Sequence, residues 1–166
     1  MKIFRRIALL FGLLIALAVV LIDQLTKYLV LNYILSEYAA IVLTPFFAVV
    51  RAWNTGVSFS MFNNWGINGV YILSGVALII VAILLVWLKN EHNKVTQLAL
   101  GFIIGGALGN VIDRIRLGAV FDFLDFYIGD HHWPAFNMAD SFICVGPVII
   151  VIQGIMSGNP DKRKGA

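Results

Sequence analysis

The chain has 166 residues, 60% of them hydrophobic and only 13% charged, with a formal net charge of +3. Soluble domains carry about a quarter charged residues, so this chain lacks the polar surface to coat a water-exposed globule, and a soluble enzyme is excluded. The twelve Lys and Arg are spread between apolar blocks rather than gathered in a patch, which excludes a nucleic-acid partner and leaves them as topology signals.

The first apolar block, Ile7 to Ile22, is 16 uncharged residues. As a helix it reaches about 24 Å, short of the ~30 Å hydrocarbon core, so it must continue past Asp23 to span. Asp23 and Lys27 stand at i, i+4 with the acid first, the favourable order for a helical pair, and this carries a first span over 7–31. Lys2, Arg5 and Arg6 followed by Ala16-Leu17-Ala18 also fit a cleavable signal peptide. Val19-Val20-Leu21-Ile22 is apolar where such a peptide turns polar, so a retained helix is expected.

An outer segment over 32–65 reads as strand-like, with Tyr38 to Leu43 and Phe46 to Val50 on either side of Thr44-Pro45. It leads into Trp53-Asn54-Thr55-Gly56, a turn signal. Trp65 to Leu88 is 24 uncharged residues and predicts a span over 66–88; Val95 to Ile112 is 18 and predicts one over 95–113. Within the latter, Gly105-x-x-x-Gly109 is a helix-packing spacing that needs no ligand. The second outer segment, 114–139, contains the aromatic-rich strand candidate Val120 to Tyr127, ended by Gly129-Asp130. Ser141 to Pro160, 20 residues, predicts the last span over 140–157. The expected fold is an integral membrane protein, mainly α, with four transmembrane helices and a small extracytoplasmic β element. Residues 1–166 form one membrane-embedded domain.

Eight of the twelve basic residues lie at the N-terminus, in the 89–94 loop and at the C-terminus, which makes both termini cytoplasmic. Seven of the nine acids, Asp23, Glu37, Asp113, Asp122, Asp125, Asp130 and Asp140, lie in or beside the outer segments. The chemistry is therefore expected on the outer face. The outer segments stay apolar and are expected to rest on membrane lipid, with Trp53, Trp65 and Trp133 near the headgroups.

Asn110, Asp113 and Arg114 share a helix face at i, i+3, i+4, and Asn137 and Asp140 stand at i, i+3 before the last span. Ionisable groups deep in a span cost about 2.5–3.5 kcal/mol, so they face partners. Asp113 and Arg114 are explained equally well by mutual neutralisation at the interface. Asp122, between Phe121 and Phe123, and Asp140, at the mouth of an apolar helix, fit a pair of carboxylates sharing one proton: one activates water and the other protonates a peptide carbonyl. Their spacing does not establish proximity. Asp125 and Asp130 are rival members of the pair, or solvated loop acids. A proton relay in a transporter or channel subunit would use the same residue types, but spans two and four lack acids through their depth. The lone Cys144 excludes an intrachain disulfide and a cysteine metal cluster, and it reads as a packing residue. Adjacent His131 and His132 read as a polar turn rather than a metal site, since neighbouring side chains point apart and no further ligands are placed.

At these residues the chain resembles the lipoprotein signal peptidases (signal peptidase II), bacterial membrane aspartic proteases. The similarity runs through Asp23-Gln24-Leu25-Thr26-Lys27, Asn54-Thr55-Gly56-Val57-Ser58-Phe59, the stretch Gly105 to Arg114, Val120-Phe121-Asp122-Phe123, and Phe136-Asn137-Met138-Ala139-Asp140-Ser141. Val57-Ser58 stands where Ala-Ala is common, and Phe121 where Val is common. The resemblance implies that Asp122 and Asp140 are the catalytic pair, that Asn54, Asn110, Arg114 and Asn137 hold substrate backbone, and that Asp23 and Asp113 support the fold. It implies a prolipoprotein substrate whose cysteine already carries diacylglyceryl, cut on the amino side of that cysteine. It also implies a place in the bacterial inner membrane, with no cofactor and no metal.

Overall fold

The computed structural model describes residues 2–56 and 66–157, with side chains over 9–56 and 68–157. Trp65, Val57-Ser58 and the C-terminal basic residues lie outside the described residues. Helix α1 spans Lys2–Leu29 and widens into a π-type turn over Val30–Ile34; α2 spans Gly66–Asn90, α3 Lys94–Leu117 and α4 Met138–Ser157. All four are long and apolar enough to cross a membrane. Strands β1 (Ala40–Thr44), β2 (Phe47–Asn54), β3 (Val120–Ile128) and β4 (His131–His132) form one antiparallel sheet in that order. Span three runs four residues past the expected Asp113, because the helix persists until Gly118 adopts a left-handed conformation (φ 74°) that ends it. Its start is fixed by Asn93, whose side chain accepts the N–H groups of Val95 and Thr96 at 2.8 and 3.2 Å.

Helix α3 is the axis of the bundle: 61% of its spanning window is buried, against 11–22% for the other three. Its glycines make that possible. A Cβ on Gly105 would sit 2.6 Å from the Ala16 carbonyl oxygen, and one on Gly109 would sit 2.6 Å from Asp23 Oδ2. The absent side chains let α1 lie directly against α3. One core layer joins Ala16, Val81, Leu88, Leu100 and Ile104 across α1, α2 and α3. A second joins Val30 and Leu35 to Val49, Phe121 and Phe123, seating the sheet on the end of α1.

The sheet carries one irregularity that matters for function. Val49 pairs with Leu124, but Ala52 pairs with Asp122, so β2 advances three residues while β3 advances two. This is a bulge of one extra residue. Because side chains alternate faces along a strand, unbroken register would put Trp53 on the face of Asp122. The bulge puts Asn54 there instead. The Trp53-Asn54 pair, expected in a turn, forms the last two residues of β2, and the turn begins at Thr55 and Gly56. It is closed by the Gly56 N–H on Asn54 Oδ1 at 3.0 Å.

Candidate functional site

Asn137 organises the site. It is the N-cap of α4: its Oδ1 accepts the Asp140 N–H at 3.0 Å, and Asp140 Oδ2 accepts the Asn137 N–H at 3.2 Å, a reciprocal capping box. The Asn137 amide nitrogen donates to Asp122 Oδ1 at 2.6 Å and to Asn110 Oδ1 at 3.2 Å. The residue is fully buried. Asn110, reaching from α3, donates from Nδ2 to Asp140 Oδ1 at 2.8 Å. Asn54 donates to Asp122 Oδ2 at 3.2 Å from the end of β2. Asp122 on β3 and Asp140 in the first turn of α4 are thus tied to one asparagine, 15 and 3 residues away along the chain.

Both acids line a cavity of about 630 Å³. Asn54, Asn110 and Arg114 form its polar end; Trp53, Val120, Pro134, Ala135, Phe136, Ile143 and Cys144 form apolar walls. Asp122 itself is 2% exposed. Burial first, and then the neighbouring Asp140 charge, push its carboxyl up from the usual 3.8 to about 7, against the opposing donors Asn54 and Asn137. At neutral pH a carboxyl in that range is shared between its acid and base forms.

Behind the cavity lies a buried ionic cluster. Lys27 Nζ stands 2.9 Å from Asp23 Oδ2 and 2.8 Å from Asp113 Oδ2, and donates to Asn110 Oδ1 at 3.3 Å. Asp23 Oδ1 accepts the Ala139 N–H at 2.9 Å, and Asp113 Oδ2 accepts the Phe121 N–H at 3.2 Å. Each carboxylate therefore fixes the backbone one residue away from an acid of the cavity. Gln24 closes the cluster with a bond to Asp113 Oδ1 at 2.9 Å.

Several expectations change here. Asp113 pairs with Lys27, not with the adjacent Arg114, because successive helical side chains diverge by about 100°. Arg114 instead donates to the Gly56 carbonyl at 3.0 Å and borders the cavity. Asp125 is no solvated loop acid: it lies within β3, 7% exposed, three residues beyond Asp122 and on the opposite face, paired with His132 Nδ1 at 2.8 Å. Asp130 sits in the exposed turn before β4. Cys144 is exposed on the cavity wall rather than packed. Its i+4 spacing from Asp140 was the available signal. The role of Lys27 as a bridge between α1 and α3 was missed, although two acids in separate spans required a cation.

The signal peptidase (SPase) II family profile matches residues 15–156 of the chain. A lipoprotein signal peptidase of Alteromonas mediterranea is 41% identical over 98% of this chain and 88% of its own length. One from Serratia proteamaculans is 40% identical over 91% of each. One from Burkholderia mallei is 43% identical over 82% of each. Among solved structures, a bacterial membrane enzyme determined by the in meso method at 2.3 Å superposes with a TM-score of 0.76 at 29% identity, covering 90% of each chain. Another at 1.9 Å gives a TM-score of 0.69 at 31% identity, over 86% of this chain and 90% of that one. With the match running through α1, the sheet, α3 and α4 alike, the chain belongs to the signal peptidase II family.

Proposed function

We propose that this chain is a membrane aspartic endopeptidase that removes the signal peptide from diacylglyceryl-modified prolipoproteins, cutting on the amino side of the lipidated cysteine. The observation that carries this reading is the convergence of Asp122 and Asp140 on Asn137 at one amphipathic cavity. Two carboxylates in such surroundings divide the work of acid and base between them. Asp140, which accepts bonds from Asn110 and from the backbone of the α4 N-terminus, takes the proton of an attacking water. Asp122 holds a proton and delivers it to the carbonyl oxygen of the scissile peptide. The water oxygen bonds to the carbonyl carbon, giving a tetrahedral intermediate. Its collapse breaks the C–N bond as Asp140 passes its proton to the leaving nitrogen. The pair then regains its single shared proton, and no step draws on a metal or cofactor.

The polar residues divide into two roles. Asn110 and Asn137 spend their amides on the acids and on Lys27, so they orient the pair rather than the substrate. Asn54 and Arg114, at the polar end of the cavity, are left to meet the substrate backbone. Asp23 and Asp113 hold the surrounding backbone in place. The membrane is the bacterial inner membrane, with both termini cytoplasmic and the cavity near the outer leaflet, as the distribution of basic residues requires. The transport reading has no support in the relatives, and the acids of the described residues gather at one end of the bundle rather than through its depth.

The test is cleavage of a diacylglyceryl-modified prolipoprotein by the purified chain, with the unmodified precursor as control. Cleavage of the modified form alone is expected. Equal cleavage of both would remove the lipid from the reading, and none of either would refute it. Asp122→Asn and Asp140→Asn should each abolish turnover.

A further inference from the structure

The segment that follows β4, Trp133 to Phe136, forms one wall of the cavity opposite the α3 and α4 side. Its attachment is sparse. Strand β4 is only two residues long, too short to hold a hairpin by backbone bonds alone. At one end the Trp133 N–H donates to the Phe126 carbonyl at 2.7 Å, and at the other the Phe136 N–H donates to the Leu124 carbonyl at 3.1 Å. Pro134 between them carries no N–H.

At the β4 end a side-chain pair adds what the backbone lacks. Both oxygens of Asp125 stand at hydrogen-bond distance from His132 Nδ1, 2.8 and 3.1 Å away. The imidazole lies over the Tyr127 ring, with centroids 4.8 Å apart and planes 24° from parallel. The Tyr127 hydroxyl in turn donates to the Thr44 carbonyl at 3.0 Å, anchoring the group to the β1–β2 turn. His132 therefore joins the residue beside Trp133 to both hairpins of the sheet. Asp125 lies on the far face of β3 from Asp122, so the pair touches neither the cavity acids nor anything held between them.

Building on the peptidase reading, we propose that Asp125 and His132 are positioning residues: their pair clasps the Trp133–Phe136 wall and sets how tightly substrate is held, without entering bond cleavage. A charge-assisted bond of this kind is among the stronger side-chain contacts. The wall it steadies borders the substrate, whereas the acids are held by Asn137.

The full chain is assayed in lipid nanodiscs against a diacylglyceryl-modified prolipoprotein peptide. For His132→Ala the expected result is a KM raised about tenfold with kcat within about twofold, the pattern of lost uniform binding. Asp125→Asn keeps an acceptor oxygen for Nδ1 and should restore KM to near the parent value. Adding Asp125→Ala to His132→Ala should raise KM no further, since one contact cannot be lost twice. An unchanged KM in His132→Ala, a fall in kcat at constant KM, or additive effects would each overturn the proposal. Because His132 is exposed, its alanine variant tests the idea even if Asp125→Ala fails to accumulate. A second readout is independent of cleavage: the Trp133 component of fluorescence anisotropy, obtained by difference from Trp133→Phe, should fall in His132→Ala. Unchanged anisotropy would also overturn the clasp, whereas failure of the parent chain to cleave would count against the peptidase reading alone.

Discussion

Replacing Asp122 by Asn should make the protein inactive and, at alkaline pH, more stable. The fold raises the Asp122 carboxyl from 3.8 to about 7, chiefly by burial and then by the Asp140 charge. Between those values the folded chain holds a proton that the unfolded chain has released, so stability falls as pH rises through the window and does not return above it. Roughly 3 pH units at ~1.4 kcal/mol each gives a loss on the order of 4 kcal/mol. Asn cannot ionise and escapes this loss. It keeps an oxygen for the Asn137 donor but turns an N–H₂ towards that of Asn54, forfeiting one hydrogen bond of about 1 kcal/mol. The net expectation at pH 8 is a gain of ~2–3 kcal/mol, while at pH 5 the variant should be level with the parent or slightly below it. Turnover should fall at least 10²- to 10⁴-fold, the usual cost of losing a general acid. Thermal unfolding at the two pH values and single-turnover cleavage of modified precursor measure both sides. A variant that is less stable than the parent at pH 8, that keeps the parent's pH dependence, or that cleaves at near-normal rate would refute the reasoning.

Lys27→Met should leave Asp23 and Asp113 buried without their cation and cost about 3–5 kcal/mol, seen as lost folded yield, and the yield should recover partly when Asp113→Asn is added. Gly109→Ala should lower the unfolding temperature, because its Cβ would sit 2.6 Å from Asp23 Oδ2; a neutral result would mean α1 and α3 are not held as closely as described. Activity should survive exhaustive chelation, and loss that added Zn²⁺ restores would argue against two-carboxylate chemistry. Reporter fusions after Glu91 should report cytoplasm and those after Asp130 the exterior, with the opposite pattern inverting the orientation.

The spans were legible because apolar runs interrupted by charge leave little choice of what crosses a bilayer. The helix ends were less so. Asp113 looked like a natural stop, yet Lys27 on another helix neutralises it and lets α3 continue to Leu117. Asp122 and Asp140 could be singled out by their apolar flanks, but their approach to one another depends on Asn137, and the capping box Asn137-Met138-Ala139-Asp140 was read only as a shared face. The placement of Asn54 was beyond reach from spacing. It hangs on a bulge between Val49 and Ala52 that no turn residue marks. Asp125 was ambiguous for a related reason: strand alternation decides which of two nearby acids enters the cavity, and only the register of β3 fixes the phase.

The ionic cluster also bears on how the protein is made. As α1 emerges into the bilayer, Asp23 and Lys27 neutralise each other within the same helix, so that segment inserts with its charges already matched. Helix α3 carries Asp113 without such a companion one turn away on the buried face; its counter-ion waits on α1. Docking of the third helix on the first is then coupled to charge transfer out of the lipid, and a misplaced α3 would keep an unmatched carboxylate in hydrocarbon. The same contact that steadies the finished cavity acts as a check during assembly: a chain whose first and third helices have not met cannot bury Asp113, and it cannot bring the Phe121 and Ala139 backbone into place either.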